Sequence, residues 1–599
     1  MSSKIYAKFM ENKSETKTHL ASSVQVCQNC KQDFTIEPDD FAFYEKIKVP
    51  PPTWCPECRM MRRMQWMNFR SWYNRTIDGE PVLSIYAPDV PIPIMSVEKW
   101  WSDDRDPTEF GLDYDFSKSF FTQFAELYKK VPQPNMLIDL SSVDCDYCND
   151  VGSSKNCYLS TTIIDSEDTY YSTAIIKSKE IFNCYWLLQS ERCYGCIDTR
   201  NSRGCLFSQY AIMCLDSAFL FDCHNCSDCI ACVGLRHKQY CIFNKQYTKE
   251  EYQKFVFENL NGGHDVLVKL AKQFEEFKKD KPVRYANITH STNVSGNNIT
   301  GSKNCYHSFD TTVQVENVKY VSYAGLGLKD SYDGYNVGSI AELLYECLDC
   351  GSKSSDIMFS VFVLYSSSNI LYSGFCTGSS NLFGCVGLNK KQYCILNKQY
   401  TKEEYEALVP KIIEHMNDIP YVDKKGRVYK YGEFFPSEIS PFAYNETIAQ
   451  EYYPLNKEEA EKAGYKWREP EKKEYRITLE ANNIPDNIRD IKSDIVNEII
   501  GCEHGKKCNE KCIGAFRVIP RELEFYRMMK LSLPRLCPNC RYAELFKKRS
   551  PYRLWHRQCM CDKLNHEHNG KCQNEFETSY SPNRSEIVYC EQCYNAEVA

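Results

Sequence analysis

The sequence has no run of apolar residues long enough to span a bilayer, and its start, Met1 to Ser23, is polar and lysine-rich with no apolar core segment. The expectation is a cytoplasmic chain with no membrane partner. Positive charge is not in excess either: 73 Lys and Arg face 80 Asp and Glu, a net charge of −7 at pH 7. Nucleic acid could then be met only by a local patch. No GxGxxG fingerprint, P-loop or nucleophile elbow stands in a supporting context, so little favours an enzyme. What the chain has in abundance is cysteine, 33 residues of 599. In a reducing compartment these point to metal ligation or buried thiols, not to a disulfide framework. With 43% hydrophobic and 14% aromatic residues the chain can build several cores.

The cysteines open with Cys27-Gln-Asn-Cys30 and Cys55-Pro-Glu-Cys58. Two CxxC knuckles at this separation aim four thiolates at one point, as zinc ribbons do. A second group, Cys508, Cys512, Cys537 and Cys540, repeats the first. With Cys512 laid on Cys30, Phe43-Tyr44 meets Phe525-Tyr526, Cys55-Pro56 meets Cys537-Pro538, and Cys58-Arg59 meets Cys540-Arg541 without a gap. This is an internal duplication. Cys27 has no exact counterpart, so Cys508 is expected as fourth ligand, with Cys502 beside His504 as the alternative.

Each copy continues into a second half-site. In the C-terminal copy, ligands are expected from Cys572, Cys590, Cys593 and one of Cys559 or Cys561, with His566 and His568 as exposed loop residues. In the N-terminal copy Ser96 and Lys99 replace Cys590 and Cys593, and Ile77 falls opposite Cys559, so that metal is lost. The cofactor expected is zinc, about three ions per chain, in closed structural sites.

The middle of the chain is repetitive. Ser142, Ser154, Ser166, Ser178, Ser190 and Ser202 stand twelve residues apart, with Cys145, Cys157, Cys193 and Cys205 three places later. Such columns mark a β-solenoid whose coil is twelve residues or about twice that. A looser second array runs by Asn304, Asn317, Asp330, Asp356, Asn369 and Asn381. Each array ends in a Thr-Lys-Glu-Glu capping box, at Thr248 and Thr401, that opens a closing helix. The run Cys223, Cys226, Cys229, Cys232 lacks the full iron–sulfur spacing and falls on the repeat columns, so it reads as buried structural thiols.

The fold class expected is mainly β with α: two tandem β-solenoid-like repeat domains flanked by N- and C-terminal zinc-ribbon modules. The divisions are a flexible start (1–23), module 1 (24–125), solenoid 1 with its helix (135–262), a helical connector (263–295), solenoid 2 with its helix (296–416), a mixed connector (417–500) and module 2 (501–599). Ile484 to Ile500 is expected to be helical.

The stretches Leu554-Trp-His-Arg-Gln-Cys559, Glu575-Phe-Glu-Thr-Ser-Tyr580 and Phe516-Arg-Val-Ile-Pro520 carry a resemblance. Together with the modules and arrays they resemble a group of cysteine-rich zinc-ribbon proteins from candidate-phylum bacteria, some labelled as CaiB/BaiF-type CoA-transferases. The resemblance implies zinc binding; no residue here supports the transferase chemistry.

Three functions compete. The favoured one is a scaffold with a protein partner. The second is a nucleic-acid- or ribosome-associated protein. Its candidate contacts are Arg59, Arg62, Arg63, Trp66, Arg70 and Arg75 after Cys58, and Lys547, Lys548, Arg549, Arg553 and Arg557 after Cys540. Cations interleaved with aromatics suit phosphates and bases, although a helix that buries its aromatics gives the same pattern. An enzyme comes last.

Overall fold

The computed structural model describes residues 21–471, 474–508 and 510–598. Residues 1–20, most of the start expected to be flexible, lie outside that range. The protein is mainly β with some helix, and no described helix is long and apolar enough to cross a membrane. It divides into two compact units, each assembled from separated stretches. One takes the residues up to Asn135 together with Ile288–Arg468; the other takes Met136–Asn287 and Glu469–Ala599. The N-terminal cysteine module thus shares a unit with the second repeat array, and the C-terminal module shares one with the first.

In the first array, four-residue strands from Val143–Asp146 to Ile197–Arg200 alternate between two parallel sheets. Each strand pairs with the one twelve residues on, Thr161 with Thr173 and Glu167 with Lys179. Twelve residues are therefore the complete repeat. The backbone takes a left-handed turn at every third residue, as at Asp144, Tyr147, Asp150, Ser153, Asn156 and Leu159. Asn and Asp accept that conformation readily, whereas a leucine there costs about 1–2 kcal/mol. The residue after each corner is turned inward, and Cys148, Val151, Ser154, Cys157, Ser160 and Ile163 are buried in succession. So narrow an interior takes cysteine, serine and short aliphatic side chains.

The serine column answers the question of where the inward N–H groups go. Ser154 Oγ accepts from the Ser166 N–H (3.1 Å), Ser166 Oγ from Ser178 (3.1 Å) and Ser178 Oγ from Ser190 (3.0 Å). Cys157, Cys193 and Cys205 are buried, while Cys145 is only half-buried, since its strand forms the edge of its sheet. Cys223, Cys226, Cys229 and Cys232 are all buried in the same interior.

The second array opens with a pairing at eleven residues, Ile288 with Ile299, then pairs at thirteen, Leu328 with Ala341 and Ser355 with Ser368, before tightening to twelve at Ser368 with Ser380. Its corner asparagines form a side-chain ladder on the outside: Asn293, Asn304, Asn317 and Asp330 are each joined to the next at 2.9 Å. Helices Lys249–Asn259 and Lys402–Asp418 follow the two arrays, and both expected capping boxes are formed. Ile484 to Ile500 differs from expectation. It makes only the short turns Ile488–Asp490 and Ser493–Asn497. The Asn487 side chain accepts from the Arg489 N–H, a local bond that competes with an α-helix.

Candidate metal centres

Among the described residues, groups of four cysteines bring their sulfurs within reach of one ion: Cys27, Cys30, Cys55 and Cys58; Cys502, Cys512, Cys537 and Cys540; Cys559, Cys572, Cys590 and Cys593. All three are built alike. The third cysteine precedes a helix whose third residue is the fourth cysteine: Pro56–Met64, Pro538–Lys547 and Glu591–Val598. Helix starts present unpaired N–H groups and a positive dipole end, which favour thiolate. In each group the third cysteine's N–H donates to the first cysteine's sulfur at 3.2 Å: Cys55 to Cys27, Cys537 to Cys502, Cys590 to Cys559.

Sulfur–sulfur distances bear on the ion. A tetrahedron with metal–sulfur bonds of about 2.3 Å has edges of about 3.8 Å. Cys30–Cys55 measures 3.8 Å, Cys502–Cys540 and Cys512–Cys537 3.9 Å, and Cys572–Cys590 4.0 Å. Burial pushes the Cys559 thiol up to about 11, and the shared proton with Cys27 pushes Cys55 up to about 12. A bound cation reverses both, because its charge favours the thiolates.

One ligand choice is corrected and one left open is resolved. Cys502, not Cys508, completes the second tetrad; Cys508 groups with His504 and Cys540 instead. The first knuckle is longer than its N-terminal counterpart, and the extra pair lies in the additional loop. Of Cys559 and Cys561, Cys559 joins the third tetrad. Cys561 lies with His566, His568 and Cys593, and the His566 side chain is only 3% exposed, not the open loop residue expected.

The missing fourth tetrad has a structural explanation. Strands Tyr73–Ile77 and Glu80–Ser84 form a hairpin equivalent to Trp555–Gln558 with Glu575–Thr578. In the N-terminal copy Asp78 and Gly79 close it, both at positive φ, as a two-residue turn requires. In the C-terminal copy the same place holds the long loop with Cys559, Cys561, His566, His568 and Cys572. Ser96, where Cys590 would be, caps helix Val97–Trp101 by accepting from the Lys99 N–H at 3.3 Å.

The basic segments are placed differently from expectation. Arg59, Arg62, Arg63 and Trp66 are buried and offer nothing to a phosphate or base. Arg59 grips Asp333 in a fork, Nε to Oδ1 at 2.9 Å and Nη2 to Oδ2 at 2.8 Å. Arg62 donates to Glu346 at 2.9 Å and to Glu433 at 2.7 Å, and Arg63 to Glu346. Asp333 and Glu346 are one repeat apart on adjacent strands. Strand spacing of about 4.8 Å nearly matches the helix rise of about 5.4 Å per turn, so successive guanidinia meet successive carboxylates. Burial opposes the Glu346 carboxylate, but Arg63, Arg62 and Arg59 outweigh it and hold its pKa below the ordinary range. At Asp333 burial prevails over Arg59 and Arg63, and the pKa rises.

Arg541, the counterpart of Arg59, is also buried, donating to Glu522 at 3.1 Å. Arg549 is buried over the rings of Tyr552 and Phe546. Arg70 and Arg75 are half-buried, with Arg75 donating to the Ile92 carbonyl at 3.1 Å, and Arg557 to the Tyr580 carbonyl at 3.3 Å. Lys547, Lys548 and Arg553 are exposed, and Lys547 pairs with Glu510 and Glu544. The carboxylate partners escaped the sequence reading because Asp333 and Glu346 look like ordinary repeat corners.

The geometry defines a protein with closed, cysteine-rich candidate metal centres. No protein-family model matches the chain, and no curated protein is significantly similar to it.

Proposed function

We propose that the three tetrads hold zinc as structural ions, and that the protein is a non-enzymatic scaffold whose repeat arrays are β-solenoids presenting rigid faces to a protein partner. The observation that supports this most is the common tetrad, with its 3.2 Å N–H···S bond and edges of 3.8–4.0 Å. Four thiolates leave no position open for substrate, which fits a structural and not a catalytic ion. Parallel pairing at a constant twelve residues supports the solenoid reading. Metal analysis of the purified chain tests the first part, with one ion or fewer overturning it. Capture of partners from native cells with and without nuclease tests the second: a protein partner survives the nuclease. The alternative, nucleic-acid or ribosome binding, is favoured by the exposed Lys547, Lys548 and Arg553, and nuclease-sensitive capture would place it first.

A further inference from the structure

The C-terminal module has more ligands than one tetrad can use. Cys559, Cys572, Cys590 and Cys593 form one four-atom group, and Cys561, His566, His568 and Cys593 form another. Cys593 is common to both. Seven donors therefore make two tetrahedra that share one corner, with none left over. We propose that the module binds a second divalent, borderline-soft cation at Cys561, His566, His568 and Cys593, and that the Cys593 thiolate bridges the two ions. This rests on the reading of the tetrads as zinc sites.

The orientation of the histidines carries the argument. His568 Nδ1 lies 2.8 Å from the Gly570 carbonyl, which can only accept, so the proton sits there and Nε2 is left as a lone pair. That Nε2 lies 3.4 Å from Cys593 Sγ. His566 Nε2 is buried and lies 3.2 Å from Glu597 Oε1, out of line for a hydrogen bond but close enough for the carboxylate's charge to favour the proton on that side, and its Nδ1 lies 3.0 Å from Cys561 Sγ. Each ring is thus turned with its basic nitrogen towards a sulfur and its other nitrogen towards an oxygen, the arrangement that metal-ligating histidines adopt. Sulfur and nitrogen on one tetrahedral ion lie about 3.5 Å apart, given bonds of about 2.3 and 2.0 Å; the His568–Cys593 pair stands near that distance, while the His566–Cys561 pair is closer and would open on binding. Cys561 is fully buried and the His566 side chain 3% exposed, so the pair is not idle loop surface.

Charge points the same way. A divalent ion with four thiolates carries a net −2 in a buried site. A second divalent ion, adding one thiolate and two neutral imidazoles, brings the pair to −1. The second tetrad shows the beginning of the same device: His504 and Cys508, from the loop between its first two ligands, gather at its fourth ligand, Cys540. Cys27 and Cys30, separated by two residues, have no such loop.

Native mass spectrometry of the full-length chain purified with zinc tests the proposal. The His566→Ala/His568→Ala variant is expected to hold one ion fewer than the parent while keeping the tetrad ions. An unchanged count overturns the second site. Should both proteins carry one ion or fewer, the tetrad reading itself falls. Bridging is read independently on the unmutated chain loaded with cadmium-113. Two resonances from the C-terminal module, one shifted towards mixed nitrogen and sulfur ligation, should show mutual scalar coupling through the shared sulfur. Two uncoupled resonances, or a single one, overturn the bridge.

Discussion

The two cysteine modules began as the same thing and are now held together differently. Phe43 stacks on Tyr332 at 3.8 Å, and its counterpart Phe525 stacks on Phe182 at 3.8 Å, so each module still docks on its array through the same ring. Around that contact they diverge. The N-terminal module has one tetrad and a Ser-capped remnant of another, and buries three arginines against three carboxylates. The C-terminal module keeps two tetrads but one arginine of the set, because Glu544 and Leu545 stand where Arg62 and Arg63 would. Its Glu522 is served by two tyrosines as well, Tyr171 and Tyr526, each at 2.8 Å. The difference teaches that a buried ionic cluster and a candidate metal centre can occupy neighbouring roles in one repeated module.

The comparison breaks first at the metal. Cys537→Ser should unfold the C-terminal module, since structural zinc contributes on the order of 10 kcal/mol to such domains. Hydrogen exchange over helices Pro520–Met529 and Pro538–Lys547 reads this, and retained protection would refute it. Next come the arginines. Arg62→Met leaves Glu433 buried with no guanidinium, only the Thr53 N–H and hydroxyl, and Glu346 with one guanidinium fewer, and should cost about 3–5 kcal/mol in a denaturant titration. Arg541→Met should cost less, because two tyrosine hydroxyls remain on Glu522; equal costs would show that the tyrosines do not compensate. A smaller effect is expected from Ser96→Cys with Lys99→Cys. Losing the serine cap costs about 1 kcal/mol, and no ion is gained, since the Asp78-Gly79 turn supplies no partner ligands; an extra ion in metal analysis would contradict this. Smallest is Lys547→Gln with Lys548→Gln, expected to move stability by under about 1 kcal/mol and to leave the salt dependence of RNA binding unaltered. A loss of about two units of slope would instead mark these lysines as phosphate contacts.

Much of this was legible in the sequence because it is written in local spacing. CxxC knuckles, the twelve-residue serine column and the Thr248 and Thr401 capping boxes need only a few consecutive residues to be seen. The substitution of Ser96 and Lys99 for two cysteines was equally visible. What escaped depends on distance along the chain. Cys502 and Cys512 close one knuckle across nine intervening residues, so the nearer Cys508 looked the better ligand. The arginines after Cys58 looked solvated because their carboxylates lie more than 250 residues away. The sharing of Cys593 could not be read at all, since ligand counting assumes that each thiolate serves one ion.

The discontinuous units have a consequence for how the chain is made. Arg62 waits for Glu433, 371 residues further on, before its cluster is complete. At roughly 5–20 residues per second of synthesis that delay is about 20–70 s. Until Asp333 and Glu346 are made, the helix Pro56–Met64 stands at the front of the growing chain without its carboxylate partners, while the whole first array is produced behind it. The tetrad of Cys27, Cys30, Cys55 and Cys58 is complete long before, by residue 58. An early-bound ion would keep that helix formed while its partners are still being translated, so the order of ligands in the sequence sets the order of assembly.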